Sequence, residues 1–140
     1  MRKNLTPQQL ADFLAQPYNA TLATYRADGT VLLSPVWHRW RDGGFDVSTG
    51  ADDVKVRHLR RDPRCSIVVY DNDPPYRGLE LRGQARILPD PDRAALRSIA
   101  VRYLGAERGN AYADAATWEG VVIRLEPGHV RGWDFADEEL

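Results

Sequence analysis

The chain has a single cysteine, Cys65, so no intrachain disulfide can form and no zinc cage can be built on thiolates. No apolar run approaches the roughly 20 residues that a membrane-crossing helix needs. There is no surplus of positive charge: 19 basic side chains face 20 acidic ones, for a formal net charge of −1. Affinity for nucleic acid backbones comes from many unbalanced Lys and Arg, so no nucleic acid partner is expected. The phosphate-cradling GxGxxG and Walker loops are missing, as are the HExxH zinc motif and the GxSxG nucleophile elbow. His38, His58 and His129 are scattered singly, which suits hydrogen-bonded structural residues better than a metal site, and no metal is expected. Met1-Arg2-Lys3-Asn4 leads into a helix signal rather than an apolar signal-peptide core, so the expected location is cytoplasmic.

At 140 residues the chain fits one domain, 1–140, with a core large enough to fold without staples. Thr6-Pro7-Gln8-Gln9 places a capping hydroxyl, a first-turn proline and a glutamine three residues after the cap, which predicts a short helix to Leu14 ended by Pro17. Residues 20–26 alternate as a strand, Asp28-Gly29 signals a hairpin, and a second run covers 30–41. Pro35 cannot donate a ladder hydrogen bond, so that run lies at an edge, at a bulge or where the sheet opens. Further strands are predicted over 45–49, 65–70, 78–88, 120–125 and 129–133. Helices are predicted from Asp90-Pro91 to Leu104, closed by Gly105, and in an alanine-rich stretch around 110–118; 136–140 reads as a frayed acidic tail. Six or seven short strands with helices at the periphery favour an antiparallel barrel, mainly β with α+β character, over a doubly wound parallel sheet.

Positive charge is carried almost entirely by arginine, yet Lys55 stands just inside a predicted helix running to Asp62-Pro63. Asp52 is the expected cap, which puts Lys55 in the first turn, the end of a helix that disfavours cations. Two readings stay open from spacing alone. In one, the lysine is solvated and balanced by Asp52 and Asp53. In the other, a ligand phosphate at the helix mouth accepts backbone N–H groups and the hydroxyls of Ser48 or Thr49, while Lys55 and Arg57 neutralise it. The tryptophans likewise have two readings: Trp37, Trp40, Trp118 and Trp133 serve either as core or as walls for a flat ligand.

The ordered set of an "ATLAT" strand, a DG hairpin, "SPVWHRW", "FDVST", a lysine-bearing helix ending "LRRDPR", then "CSIVV" and "LRGQARIL" resembles the pyridoxamine 5'-phosphate oxidase-like superfamily. The likeness runs from about Leu5 to Trp133 and is strongest to its small, single-domain, coenzyme F420-dependent oxidoreductases. It implies a split β-barrel of the FMN-binding type and a homodimer with a cofactor groove between subunits. By position it implies that Lys55 meets the cofactor phosphate, that Ser48 and Thr49 are strand-end contacts, and that Pro35, Val36 and Trp37 flank the ring. Tyr76, Arg77 and Trp133 would reach the partner's cofactor. Many FMN members carry arginine just before this lysine, where this chain has Val54, which tilts the expected cofactor from FMN to F420.

The implied activity is hydride transfer from reduced F420 to an electron-poor double bond of a small or flat substrate. The alternatives are an FMN oxidoreductase of the same fold and a non-catalytic F420 carrier or sensor. No residue stands out as a general acid and none is assigned a catalytic role, so protonation is left to solvent; His38 is a candidate, but neighbouring strand residues face opposite ways, so it and Trp37 cannot both face the ring in a regular strand.

Overall fold

The computed structural model describes residues 1–126 and 128–138. Nine strands share one sheet: β1 (Arg2–Lys3), β2 (Ala20–Tyr25), β3 (Val31–Val36), β4 (His38–Arg41), β5 (Gly44–Gly50), β6 (Arg64–Tyr70), β7 (Arg77–Pro89), β8 (Gly120–Leu125) and β9 (His129–Asp134). Among the described residues four helices accompany them: α1 (Ala11–Leu14), α2 (Val54–Arg61), α3 (Ala94–Leu104) and α4 (Ala106–Ala115).

The strand order is β3-β2-β6-β7-β8-β5-β4, with every pairing antiparallel. The long β7 joins the two halves of the sheet. Its residues Arg77 to Arg82 pair with β9 and its residues Ala85 to Pro89 pair with β8, while β6 runs along its other side. β1 then adds two residues beside β9. The result is an antiparallel barrel split between β3 and β4, with helices outside it.

Two differences from the sequence reading account for nine strands in place of six or seven. The single run expected over 30–41 is broken at Trp37 into β3 and β4, which sit at opposite ends of the strand order. Pro35 therefore lies in an edge strand, where its missing N–H costs nothing. The two-residue β1 is too short to leave a periodic signal in sequence.

The core follows from alternation. In β2 the residues Ala20, Leu22 and Thr24 point inward, and in β6 the inward set is Cys65, Ile67 and Val69. Phe13, Phe45, Val47, Leu79, Leu81, Ile123 and Leu125 complete an interior whose members here have no exposed surface. Cys65 shares it, and burial pushes its thiol pKa up to about 12, so it is inert as a nucleophile. The far face of β8 is buried too, with Arg124 bonded to the Arg41 and Asp42 carbonyls and to Asp46.

The helix ends follow local chemistry. Thr6 and Gln9 form the reciprocal capping box, each side chain accepting the other's backbone N–H at 3.2 and 2.8 Å, but regular helix begins only at Ala11. The buried Asp90 carboxylate accepts the N–H groups of Ala95 and Leu96 at the start of α3, and Gly105, at φ 86°, ends that helix. α4 begins at Ala106, four residues before the alanine-rich stretch in which it was expected. The acidic tail does not simply fray: Asp137 and Glu138 both pair with the N-terminal ammonium of Met1, while 139 and 140 lie outside the described residues. Among the described residues, no helix is long and apolar enough to cross a membrane.

Candidate functional site

β5 ends in Ser48, Thr49 and Gly50, and the chain then turns through Ala51 and Asp52 into α2. The cap of α2 is Asp53, not Asp52: its carboxylate accepts the Lys55 N–H at 3.2 Å, and its own N–H donates to the Gly50 carbonyl. The one-residue shift leaves Lys55 in the first turn. Its ammonium lies 3.0 Å from the same Asp53 carboxylate, and the side chain is only 13% exposed. Burial works to raise the Asp53 pKa, but the Lys55 ammonium and N–H and the Thr49 hydroxyl outweigh it and hold the acid below its usual range. Lys55 is thus an oriented cation rather than a solvated one.

This corner forms one wall of a cavity of 890 Å³. Small-molecule and cofactor sites occupy about 300–1,000 Å³. Pro35, Val36 and Trp37, where β3 gives way to β4, form a second wall, and Leu96 and Ile99 of α3 with Tyr112 of α4 form a third. The Trp118-Glu119 segment leads into β8 along the rim, tied to the α2 turn by the Ala51 N–H bond to the Glu119 carbonyl at 2.9 Å. Trp37 stacks flat on Tyr103, with centroids 4.9 Å apart and planes 7° apart. Tyr112 then lies 5.7 Å from Trp37 and 6.0 Å from Trp118. The cavity therefore has a polar end at Lys55 and an aromatic wall.

Ser48 lines this cavity, and its hydroxyl oxygen is buried with no hydrogen-bond partner among the described residues. Buried polar groups are nearly always paired, so an unpaired one on a cavity wall fits a ligand oxygen that completes it. Lys55 fits the anionic part of such a ligand, and Trp37 and Pro35 fit its flat part. The charge balance is less one-sided than a phosphate site suggests, since Asp52, Asp53 and Glu119 line the cavity against the single cation Lys55.

Of the ten residues expected at the site, Lys55, Ser48, Thr49, Pro35, Val36 and Trp37 come together on this cavity. Arg57 does not line it and is exposed. Residues two apart on a helix do not share a face, so an inward Lys55 turns Arg57 away. Tyr76, Arg77 and Trp133 gather elsewhere, at the start of β7 beside β9. There Trp133 covers Gly78, and the Arg77 guanidinium is engaged within its own chain, 2.8 Å from Asp12, beside Asp71 and over the Phe13 ring. Of the remaining tryptophans, Trp118 lines the cavity and Trp40 packs on Phe45 in the interior.

His38 lies off the cavity. It is fully buried at the start of β4, one residue past the break at Trp37. The Tyr103 hydroxyl donates its one proton to the Tyr18 carbonyl at 2.7 Å and accepts the His38 backbone N–H at 3.1 Å. The 2.8 Å contact to His38 Nδ1 must then be a bond donated by the ring, which leaves Nε2 bare, buried and unpartnered. Burial, with the nearby Arg102 guanidinium, drives its pKa down to about 3. The ring is a neutral structural group, not a proton donor to a ligand.

The sequence reading missed Asn19, Leu96, Tyr112 and Glu119 as lining residues. Leu96 and Tyr112 carry the apolar spacing of any amphipathic helix, which does not distinguish a core face from a cavity wall.

An antiparallel barrel split along one seam, with a cofactor-sized cavity where a strand end meets a helix N-terminus, defines a split-barrel protein. Residues 6–134 match the family described as pyridoxamine 5'-phosphate oxidase, and the chain belongs to that family, within a superfamily that includes oxidoreductases. A conserved hypothetical protein of Mycobacterium tuberculosis, Rv2991, is 30% identical, with a TM-score of 0.78 over 94% of this chain and 86% of its own. An F420 reductase is 28% identical, with a TM-score of 0.62 over 85% of this chain and 93% of its own. A FAD and heme binding protein of Mycobacterium smegmatis, 17% identical with a TM-score of 0.73 over 94% and 72%, shares the fold. No curated protein sequence matches the chain.

Proposed function

We propose that this protein is an F420-dependent reductase that works as a cytoplasmic homodimer on a small unsaturated substrate. The observation that carries the reading is the convergence of Lys55, Ser48, Thr49, Pro35, Val36 and Trp37 on one 890 Å³ cavity. The likeness to an F420 reductase at 28% identity supports it.

Lys55 neutralises the anionic tail of the cofactor, and the Ser48 and Thr49 hydroxyls at the end of β5 lie on the same wall to donate to it. Val54, an apolar side chain at the first helical position, adds no second cation there, which favours F420 over FMN. Trp37, held flat by Tyr103, presents a ring face to the flat part of the cofactor. When bound, the cofactor supplies a hydride. The contribution of these residues is to hold the reacting atoms in a close, oriented pair. The dimer is supported by the edge strand β3, which leaves Val31 43% and Leu33 64% exposed.

The test is anaerobic mixing of the purified protein with reduced F420 and a panel of acceptors, followed by the return of the oxidised deazaflavin absorbance. Acceptor-dependent oxidation is expected. Tight F420 binding with no turnover against the panel would make the protein a carrier or sensor, and purification as a yellow flavoprotein that ignores F420 would make it an FMN enzyme.

A further inference from the structure

The cavity is acidic as well as aromatic, and Lys55, the cation that lines it among the described residues, is shared with Asp53. Lys55 lies 3.0 Å from Asp53, and neither Asp52 nor Glu119 makes a side-chain ion pair or hydrogen bond among the described residues. The same cavity is lined by three rings in sequence. Trp118 packs over Gly50, one residue from the α2 turn that carries Asp52, and is followed in the chain by Glu119; Tyr112 and Trp37 continue the surface inward. Trp118 and Tyr112 are 39% and 41% exposed, a large apolar surface left open to a ligand. Stacked rings favour a flat partner, and ring faces beside uncompensated carboxylates favour a positive one. The neutral, buried His38 is turned away from this space, so the lining offers no imidazole to protonate a reduced product.

We infer that the hydride acceptor is a flat organic cation containing a C=N⁺ bond, an iminium or N-alkylated heteroaromatic ring, seated on the Tyr112–Trp118 surface beside the Trp37 ring given to the cofactor, with its charge toward Asp52 and Glu119. This rests on the reductase reading. In the step, the C–H bond of the reduced cofactor breaks and its electron pair forms a new C–H bond at the iminium carbon. The C=N π pair moves onto nitrogen and the substrate is reduced to a neutral amine, while the cofactor is oxidised and its ring N–H proton passes to solvent. No proton enters the substrate, which matches a lining without an imidazole. The product has lost the positive charge that the carboxylates and rings hold, so its release is favoured over that of the substrate.

The experiment is calorimetric titration of the full chain, with and without oxidised F420, using 1-methylquinolinium and its neutral isostere 1-methylnaphthalene. The cation is expected to bind about tenfold more tightly than the isostere. Glu119→Gln and Asp52→Asn, both at exposed positions, are expected to shrink that preference several-fold, and Trp118→Leu to weaken both probes. Equal affinity for the two probes, or a preference unmoved in the Asp52→Asn/Glu119→Gln double variant, would overturn the inference. With reduced, deuterium-labelled F420, the label is expected in the dihydroquinoline product. Cation preference without any F420 binding would leave the ligand class standing and remove the reductase reading. F420 binding without cation preference would do the reverse.

Discussion

One carboxylate, that of Asp53, both caps α2 through the Lys55 N–H at 3.2 Å and holds the Lys55 ammonium at 3.0 Å. The helix dipole disfavours a cation in this turn, and Asp53 offsets that cost. An anionic cofactor must therefore compete with Asp53 for the lysine. Asparagine caps as well as aspartate but carries no charge. Asp53→Asn is expected to keep the cap, to lower the thermal midpoint slightly because Lys55 loses its counter-charge, and to raise F420 affinity about three- to tenfold. Asp53→Ala is expected to lose about 1 kcal/mol of stability with the cap. Calorimetric melting and fluorescence titration of the two variants separate the effects.

His38 makes stability depend on pH in a direction fixed by its burial. Its folded pKa of about 3 lies below the ordinary value of 6.5, so between these limits the unfolded chain binds a proton that the folded chain refuses. Stability from this group is complete above pH 6.5 and is lost as pH falls toward 3, by roughly 1.4 kcal/mol per pH unit. Carboxylates contribute their own acid sensitivity, so the measurement is a comparison. Denaturant titrations at stepped pH should show a shallower decline in His38→Gln than in the parent; parallel curves would mean that the imidazole is reached by protons in the folded state.

Gly78 is required by Trp133. A Cβ at position 78 would stand 2.2 Å from Cζ2 of that indole, so no side chain fits without expelling the ring from the junction of β7 and β9. Gly78→Ala is expected to destabilise the fold by about 1 to 3 kcal/mol. Removing the indole relieves the clash, so the Gly78→Ala/Trp133→Ala pair should fall short of the sum of the single effects by about 1 kcal/mol in a double-mutant cycle. Strict additivity would show that the two positions do not meet.

The proposed subunit seam has its own readout. Light scattering is expected to give twice the 15.8 kDa of one chain, and Leu33→Glu, which places a charge on the most exposed apolar residue of β3, is expected to shift the protein toward monomer. A parent protein that is monomeric with cofactor bound would remove the shared groove.

The residues that the sequence revealed are those that broke a local rule. Lys55 stood out because a cation sits at the wrong end of a helix, and Pro35 because a proline interrupts a strand; both mark the cavity, one at its polar corner and one at the split in the barrel. Residues that obey local rules left no trace. Leu96 and Tyr112 repeat at helical spacing whether they face protein or ligand, and the break at Trp37 occupies one residue, too few to alter a period of two. Arg57 was misjudged although the means to place it were available, since two steps along a helix turn a side chain to the opposite face. Tyr76, Arg77 and Trp133, expected at the partner's cofactor, rested on family likeness alone, and they lie apart from this chain's own cavity.

The most direct measurement is tryptophan-fluorescence titration of F420 and of FMN into the parent protein and Lys55→Ala, since Trp37 and Trp118 line the same cavity as the lysine. Loss of a charge-assisted contact is expected to weaken F420 binding by about 1.5 to 3 kcal/mol, with the parent preferring F420 to FMN. Unchanged affinity for both cofactors in the variant would contradict the role given to Lys55.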